Sequence, residues 1–137
     1  MEIAIDFDGT CVTHEFPKIG RDIGAVPVLR RLVESGHNLI LFTMRSDGRV
    51  VNTQDDTIYN ESGTHLTDAV NWFKDNGIVL YGIQRNPTQH TWTESNKCYA
   101  QLYIDDAALG CPLVYGMHER PYVDWNKVDE LLVNYLA

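Results

Sequence analysis

Four short groups of polar residues could do chemistry. Asp6-Phe7-Asp8-Gly9-Thr10 sets two carboxylates two positions apart, just ahead of a glycine. Asp105-Asp106 supplies a second acidic pair, Thr43-Met44-Arg45 a hydroxyl and a guanidinium, and Lys97 an ammonium. Four carboxylates gathered in one place repel one another strongly unless a cation or a lysine offsets them. Donors that are all oxygen suit a hard cation, and Mg2+ is the simplest ion for Asp6, Asp8, Asp105 and Asp106 to hold.

Whether these groups meet depends on the elements that carry them. Ile3-Ala4-Ile5 is an apolar run ending at Asp6, the pattern of a strand buried on both faces. Val26, Leu29, Leu32 and Val33 recur at helical spacing, with Pro27 in the first turn and Gly36 as a stop. Leu39-Ile40-Leu41-Phe42 predicts a second strand halting at Thr43. Leu66, Ala69, Val70 and Phe73 predict a second helix, with Thr64 as N-cap and Gly77 at its end. Ile78-Val79-Leu80-Tyr81 reads as a third strand, Leu102-Tyr103-Ile104 as a fourth, and Leu113-Val114-Tyr115 as a fifth. A last helix uses Val128, Leu131, Leu132, Tyr135 and Leu136, with Asp124 as its N-cap. Residues 44–63 and 84–97 are polar and read as loops, the first with room for a helical turn.

Strands alternating with helices predict one α/β domain over residues 1–137. Its architecture would be a doubly wound, Rossmann-like parallel sheet of about five strands with helices on both faces. Ligands in such sheets bind beyond the carboxyl ends of the strands. Asp6, Thr43 and Asp105 fall at those ends, with Lys97 just before the fourth strand.

The 137 residues make about one domain, 44% apolar and 22% charged, the profile of a soluble globular protein. Eleven Lys and Arg against 19 Asp and Glu give a net charge of −8. That balance argues against general nucleic-acid binding, because phosphate backbones would be repelled. No basic leader opens the chain and no stretch is apolar enough for a membrane span. Cys11, Cys98 and Cys111 show neither a disulfide framework nor metal-ligand spacing, so the expectation is a cytoplasmic protein with reduced thiols.

Taken in order, Asp-x-Asp-Gly-Thr after the first strand, Thr after the second, then Lys and an Asp-Asp pair resemble the four-motif signature of the haloacid dehalogenase (HAD) superfamily. The resemblance covers most of the chain and implies an Mg2+-dependent phosphatase. It implies Asp6 as nucleophile and Asp8 as general acid/base, a role that needs the chain to bend at Gly9. Asp8 would face the metal through its backbone carbonyl. Thr43 would hold a phosphoryl oxygen, and Lys97 would neutralise Asp6 and the phosphate. Asp105 would ligate the metal directly, and Asp106 either directly or through water. Gly9 lets the backbone approach the phosphate. Dehalogenases of this superfamily lack the second aspartate, so Asp8 points to phosphoester chemistry.

Neither interval between the motifs has room for a folded cap, so the chain resembles a capless member. An open site favours hydrolysis over transfer. It suits a macromolecular or conjugated phosphoester whose own bulk closes the site, or a homo-oligomer acting on a phosphorylated small molecule with a neighbour covering the site. Arg45, two residues after Thr43, is placed to reach the phosphate or a second anionic group. His14, Glu15, Arg49, Asn86, Gln89 and Trp92 are further candidates for substrate contact.

Each feature also has a plainer reading. An Asp-Gly pair is usually a turn, a threonine at a strand end usually a cap, and a lysine before a strand usually a surface residue. Lys74 competes with Lys97 but falls inside a helix. His14, His37, His65, His90 and His118 form no ligand pattern. Trp72 and Phe73 read as core, Asp55-Asp56 as a solvated loop, and nothing marks Cys11 as a nucleophile. Two alternatives to a hydrolase stand: a non-catalytic phospho-ligand-binding or regulatory protein of the same fold, and a phosphotransferase. A receiver-type phosphoacceptor would order its acids and lysine differently.

Overall fold

A computed structural model describes residues 1–50 and 61–136, with residues 49, 50, 61 and 62 described by their backbone alone. Four parallel strands form the central sheet: β1 (Glu2–Ile5), β2 (Asn38–Leu41), β5 (Gly82–Ile83) and β6 (Leu102–Ile104), in the order β5-β2-β1-β6. The register aligns Ile5 with Leu41 on one side and with Ile104 on the other. The polar residues that follow these strands therefore emerge side by side.

Strand alternation sends Ile3, Ile5 and Phe7 to one face, with Leu39 and Leu41 beside them. These residues are fully buried and share one core with α1 (Ala25–Glu34), α2 (His65–Asp75) and α3 (Trp125–Leu136). Removing one such leucine or isoleucine from water stabilises by about 1.5–3 kcal/mol, so this layer carries most of the fold. Phe73 is core, and Trp72 stands edge-on to Phe7. Pro27 sits in the first turn of α1, where a missing N–H costs nothing. Asp124 caps α3, its carboxylate accepting from the Lys127 N–H at 3.2 Å. Thr64 precedes α2 as expected, but its hydroxyl donates to Asp68 and caps no backbone N–H.

The α/β, Rossmann-like class holds, with three differences in detail. The expected third strand at 78–81 is displaced to Gly82–Ile83; Ile78 is buried under α2 instead, and only Tyr81 N–H reaches the sheet, at Leu39 O. The expected fifth strand does not join the sheet. β7 (Leu113–Val114) pairs antiparallel with β8 (Tyr122–Val123), and Val123 N–H donates to Gly9 O. The helices also gather on one face. The other face, Ala4 and Ile40, is closed by Cys98 and Ala100 of the segment between β5 and β6. That crossover is too rich in turn-forming residues for a helix and holds one 3-10 turn, Gln89–Thr91.

Residues 44–63, expected as loop, include β3 (Asp47–Val50) and β4 (Glu61–Thr64), an antiparallel pair. Asp55-Asp56 and the Arg49 side chain lie outside the described residues. Among the described residues, no helix is long and apolar enough to cross a membrane. The three cysteines are free thiols.

Candidate functional site

The carboxyl edge of the sheet is built by register. Asp6 follows β1 and donates its N–H to Ile104 O at 3.0 Å, which sets Asp105 and Asp106 beside it at the end of β6. Phe42 N–H donates to Ile5 O, bringing Thr43 to the same edge. One carboxylate oxygen from each of Asp6, Asp105 and Asp106 lies within 4.8 Å of the others.

Burial first, then a hydrogen bond shared with Asp106, push the Asp6 carboxyl from 3.8 up to about 8; the charge of Asp105 adds to this and Thr10 opposes it. Three acidic groups thus crowd one edge of the sheet. No Lys or Arg among the described residues forms an ion pair with these three carboxylates; His14 Nε2 alone approaches, 3.0 Å from Asp106 Oδ2. All-oxygen donors this close together fit a hard divalent cation, and Asp6, Asp105 and Asp106 are the side chains that would hold it.

The turn after β1 is closely specified. Gly9 has φ +79°, and a Cβ there would lie 2.0 Å from His14 Nε2 and 2.7 Å from Asp106 Oδ2. Only glycine therefore lets His14 and Asp106 meet across it. Thr10, fully buried, donates to Asp6 Oδ2 at 2.8 Å and accepts from the Asp106 N–H at 3.0 Å. Trp125 Nε1–H donates to Thr10 O at 2.6 Å, so α3 braces the turn from behind. The Cys11 thiol is buried under the turn, and that burial together with the charges of Asp6, Asp22 and Asp8 pushes its pKa up, which disfavours the thiolate.

Asp8 is not among the three clustered side chains. Arg45 grips it at both oxygens, Nε to Oδ2 at 2.7 Å and Nη2 to Oδ1 at 2.8 Å. Arg45 was expected at the phosphate; the structure buries it to 2% exposure on Asp8 instead. Thr43 stands at the edge, its Oγ1 accepting from the Arg45 N–H at 3.1 Å. Gln84, at φ +66°, accepts from the Thr43 N–H and donates to Thr43 O and Arg45 O, which fixes the end of β2.

Lys97 forms no ion pair with these carboxylates. It is exposed, with Nζ 5.6 Å from the centre of the Tyr103 ring on the helix-free face. Lys74 is exposed on α2. Asn86 and Gln89, expected at substrate, are fully buried and tie the 84–101 segment together through Tyr99, Ser95 and Lys97 backbone atoms. Trp92 packs edge-on against Tyr99.

Thr10 and Gln84 also shape the site. Thr10 had a signal, since it closes the Asp-x-Asp-Gly-Thr run; Gln84 had none, because its role needs two strand ends side by side.

Fold and edge together define an α/β Rossmann-like protein with an acidic, oxygen-donor site at the carboxyl ends of β1 and β6. A solved structure of a conserved protein coded by a locus of Bacteroides thetaiotaomicron is similar to it, at 31% identity and a TM-score of 0.71 over 98% of this chain and 91% of that one. The chain belongs to the family of that conserved protein. No family model and no curated protein matches it.

Proposed function

We propose that the protein is an Mg2+-dependent phosphomonoester hydrolase of the HAD-like kind, acting through an aspartyl-phosphate on Asp6. The observation that carries this reading is the meeting of Asp6, Asp105 and Asp106 at the end of adjacent parallel strands. When bound there, Mg2+ would offset the charge of the carboxylates and of the phosphoryl group. An Asp6 oxygen attacks phosphorus and the ester P–O bond breaks, the departing oxygen taking a proton from Asp8. Water then attacks the aspartyl-phosphate, giving its proton to Asp8 as inorganic phosphate leaves and Asp6 is restored. Thr43 would donate to a phosphoryl oxygen, and Gly9 would keep the approach open. Among the described residues no folded cap stands between the motifs, so water would reach the intermediate and hydrolysis would prevail over transfer.

Three free cysteines support a cytoplasmic setting. The substrate is a phosphorylated small molecule or macromolecule whose own bulk, or a second copy of the chain, covers the site.

One observation favours the non-catalytic alternative: both Asp8 oxygens are engaged by Arg45. Hydrolysis of 4-nitrophenyl phosphate with and without Mg2+, beside Asp6→Asn, decides between them. Metal-dependent turnover abolished in the variant supports the hydrolase. Phosphate binding without turnover on a broad ester panel supports a phospho-ligand sensor, and capture of the phosphoryl group by added glycerol supports a transferase.

A further inference from the structure

Arg45 is the most heavily committed polar side chain in the described structure. A guanidinium has five N–H donors in a fixed plane. Here Nε and one Nη2 hydrogen go to the two Asp8 oxygens, the other Nη2 hydrogen goes to Lys18 O at 2.9 Å, and Nη1 goes to Pro17 O at 3.3 Å and His65 O at 3.2 Å. The charge lies over two aromatic rings, 5.0 Å from the centre of Phe7 and 5.1 Å from that of Phe16. Every donor is occupied and the group is sealed from water, so it has nothing left to offer a phosphoryl oxygen.

We infer that Arg45 is a positioning residue that fixes the Asp8 carboxylate, and not a phosphate ligand. Its anchors come from three separate places: the 17–18 stretch after the first motif, the first residue of α2, and the end of β2 that carries Arg45 itself. An arginine held at three carbonyls is a rigid platform, and its planar fork sets both the distance and the tilt of the carboxylate it binds. A lysine could supply the charge but not the orientation. This inference rests on the proposed role of Asp8 in moving a proton.

Leaving-group dependence tests it. The ratio kcat/KM reports the first transfer to Asp6, where an alkoxide needs a proton from Asp8 and 4-nitrophenolate does not. Arg45→Lys should lower kcat/KM about 100-fold for glycerol phosphate and less than about tenfold for 4-nitrophenyl phosphate. The inhibition constant of inorganic phosphate should shift by less than about threefold. Asp8→Asn should give the same pattern, and adding Arg45→Lys to it should cost little more, because the arginine acts through the aspartate. A parallel loss on both esters with phosphate inhibition weakened tenfold or more would overturn the inference and make Arg45 a phosphate ligand. Should wild type turn over neither ester, the hydrolase reading fails by itself. Arg45 is then judged from urea midpoints of the two single variants and the double variant: non-additive shifts keep the Asp8–Arg45 platform, additive shifts sink it.

Discussion

Replacing Asp6 with asparagine should stabilise the metal-free protein, and by an amount that grows with pH. Burial, the hydrogen bond with Asp106 and the charge of Asp105 hold the Asp6 carboxyl near 8, against 3.8 for the free group. Between those values the folded chain keeps a proton that the unfolded chain releases, so stability falls as pH rises from about 4 to about 8 and then levels off. The limiting slope is about 1.4 kcal/mol per pH unit. Because the edge is open to water on one side, the realised total should be smaller, about 2–3 kcal/mol. Asparagine keeps the acceptor for Thr10 and removes the charge. In a chain of this size 2–3 kcal/mol corresponds to a Tm shift of about 8–12 °C. Differential scanning calorimetry in a chelator at pH 5 and pH 8.5 would measure it. The variant should exceed wild type by a few degrees at pH 5 and by clearly more at pH 8.5. Adding Mg2+ should then raise wild type more at pH 8.5 than at pH 5, since binding must displace the proton, and should leave Asp6→Asn nearly unmoved. Equal effects of the substitution at both pH values would refute the argument that three crowded carboxyls hold the proton.

Three other outcomes follow from the same geometry. Asp105→Asn and Asp106→Asn should each weaken Mg2+ binding by at least about tenfold in titration calorimetry, while His14→Ala, which frees Asp106 without removing a ligand, should cost less. Gly9→Ala should lower stability by about 2–4 kcal/mol at unchanged urea m-value, because a methyl group there overlaps His14 and Asp106 at a positive φ. Lys97→Ala should reduce Mg2+-dependent turnover by less than about threefold, since its ammonium lies over Tyr103 on the helix-free face; a loss of 100-fold or more would place it at the carboxylates instead.

Local pattern and tertiary contact divided the work of specifying this protein. Helix positions are carried by repeats such as Val26, Leu29, Leu32 and Val33, and strand positions by the short apolar runs ending at Asp6, Thr43 and Asp105. These are properties of a few consecutive residues, which is why α1, α3, β1, β2 and β6 were legible. The acidic trio was legible for a related reason: parallel strands in register bring their carboxyl ends together, so residues just past those ends must be neighbours. Two-residue strands leave no such trace. Gly82–Ile83 is defined by what it pairs with, and the Leu113–Val114 run became half of a hairpin because Tyr122–Val123 and the Gly9 carbonyl were there to receive it.

The amino-acid order by itself determined which residues could form the site and which edge they would share. Only the tertiary structure decided their partners. Lys97 and Arg45 are both cations near a motif in the chain, yet one lies over an aromatic ring on the far face and the other is buried against Asp8. The place of Lys97 follows from the crossover between β5 and β6. Its path depends on Asn86 and Gln89 finding backbone partners several residues away, and a pairing of that kind leaves no periodic mark in the sequence.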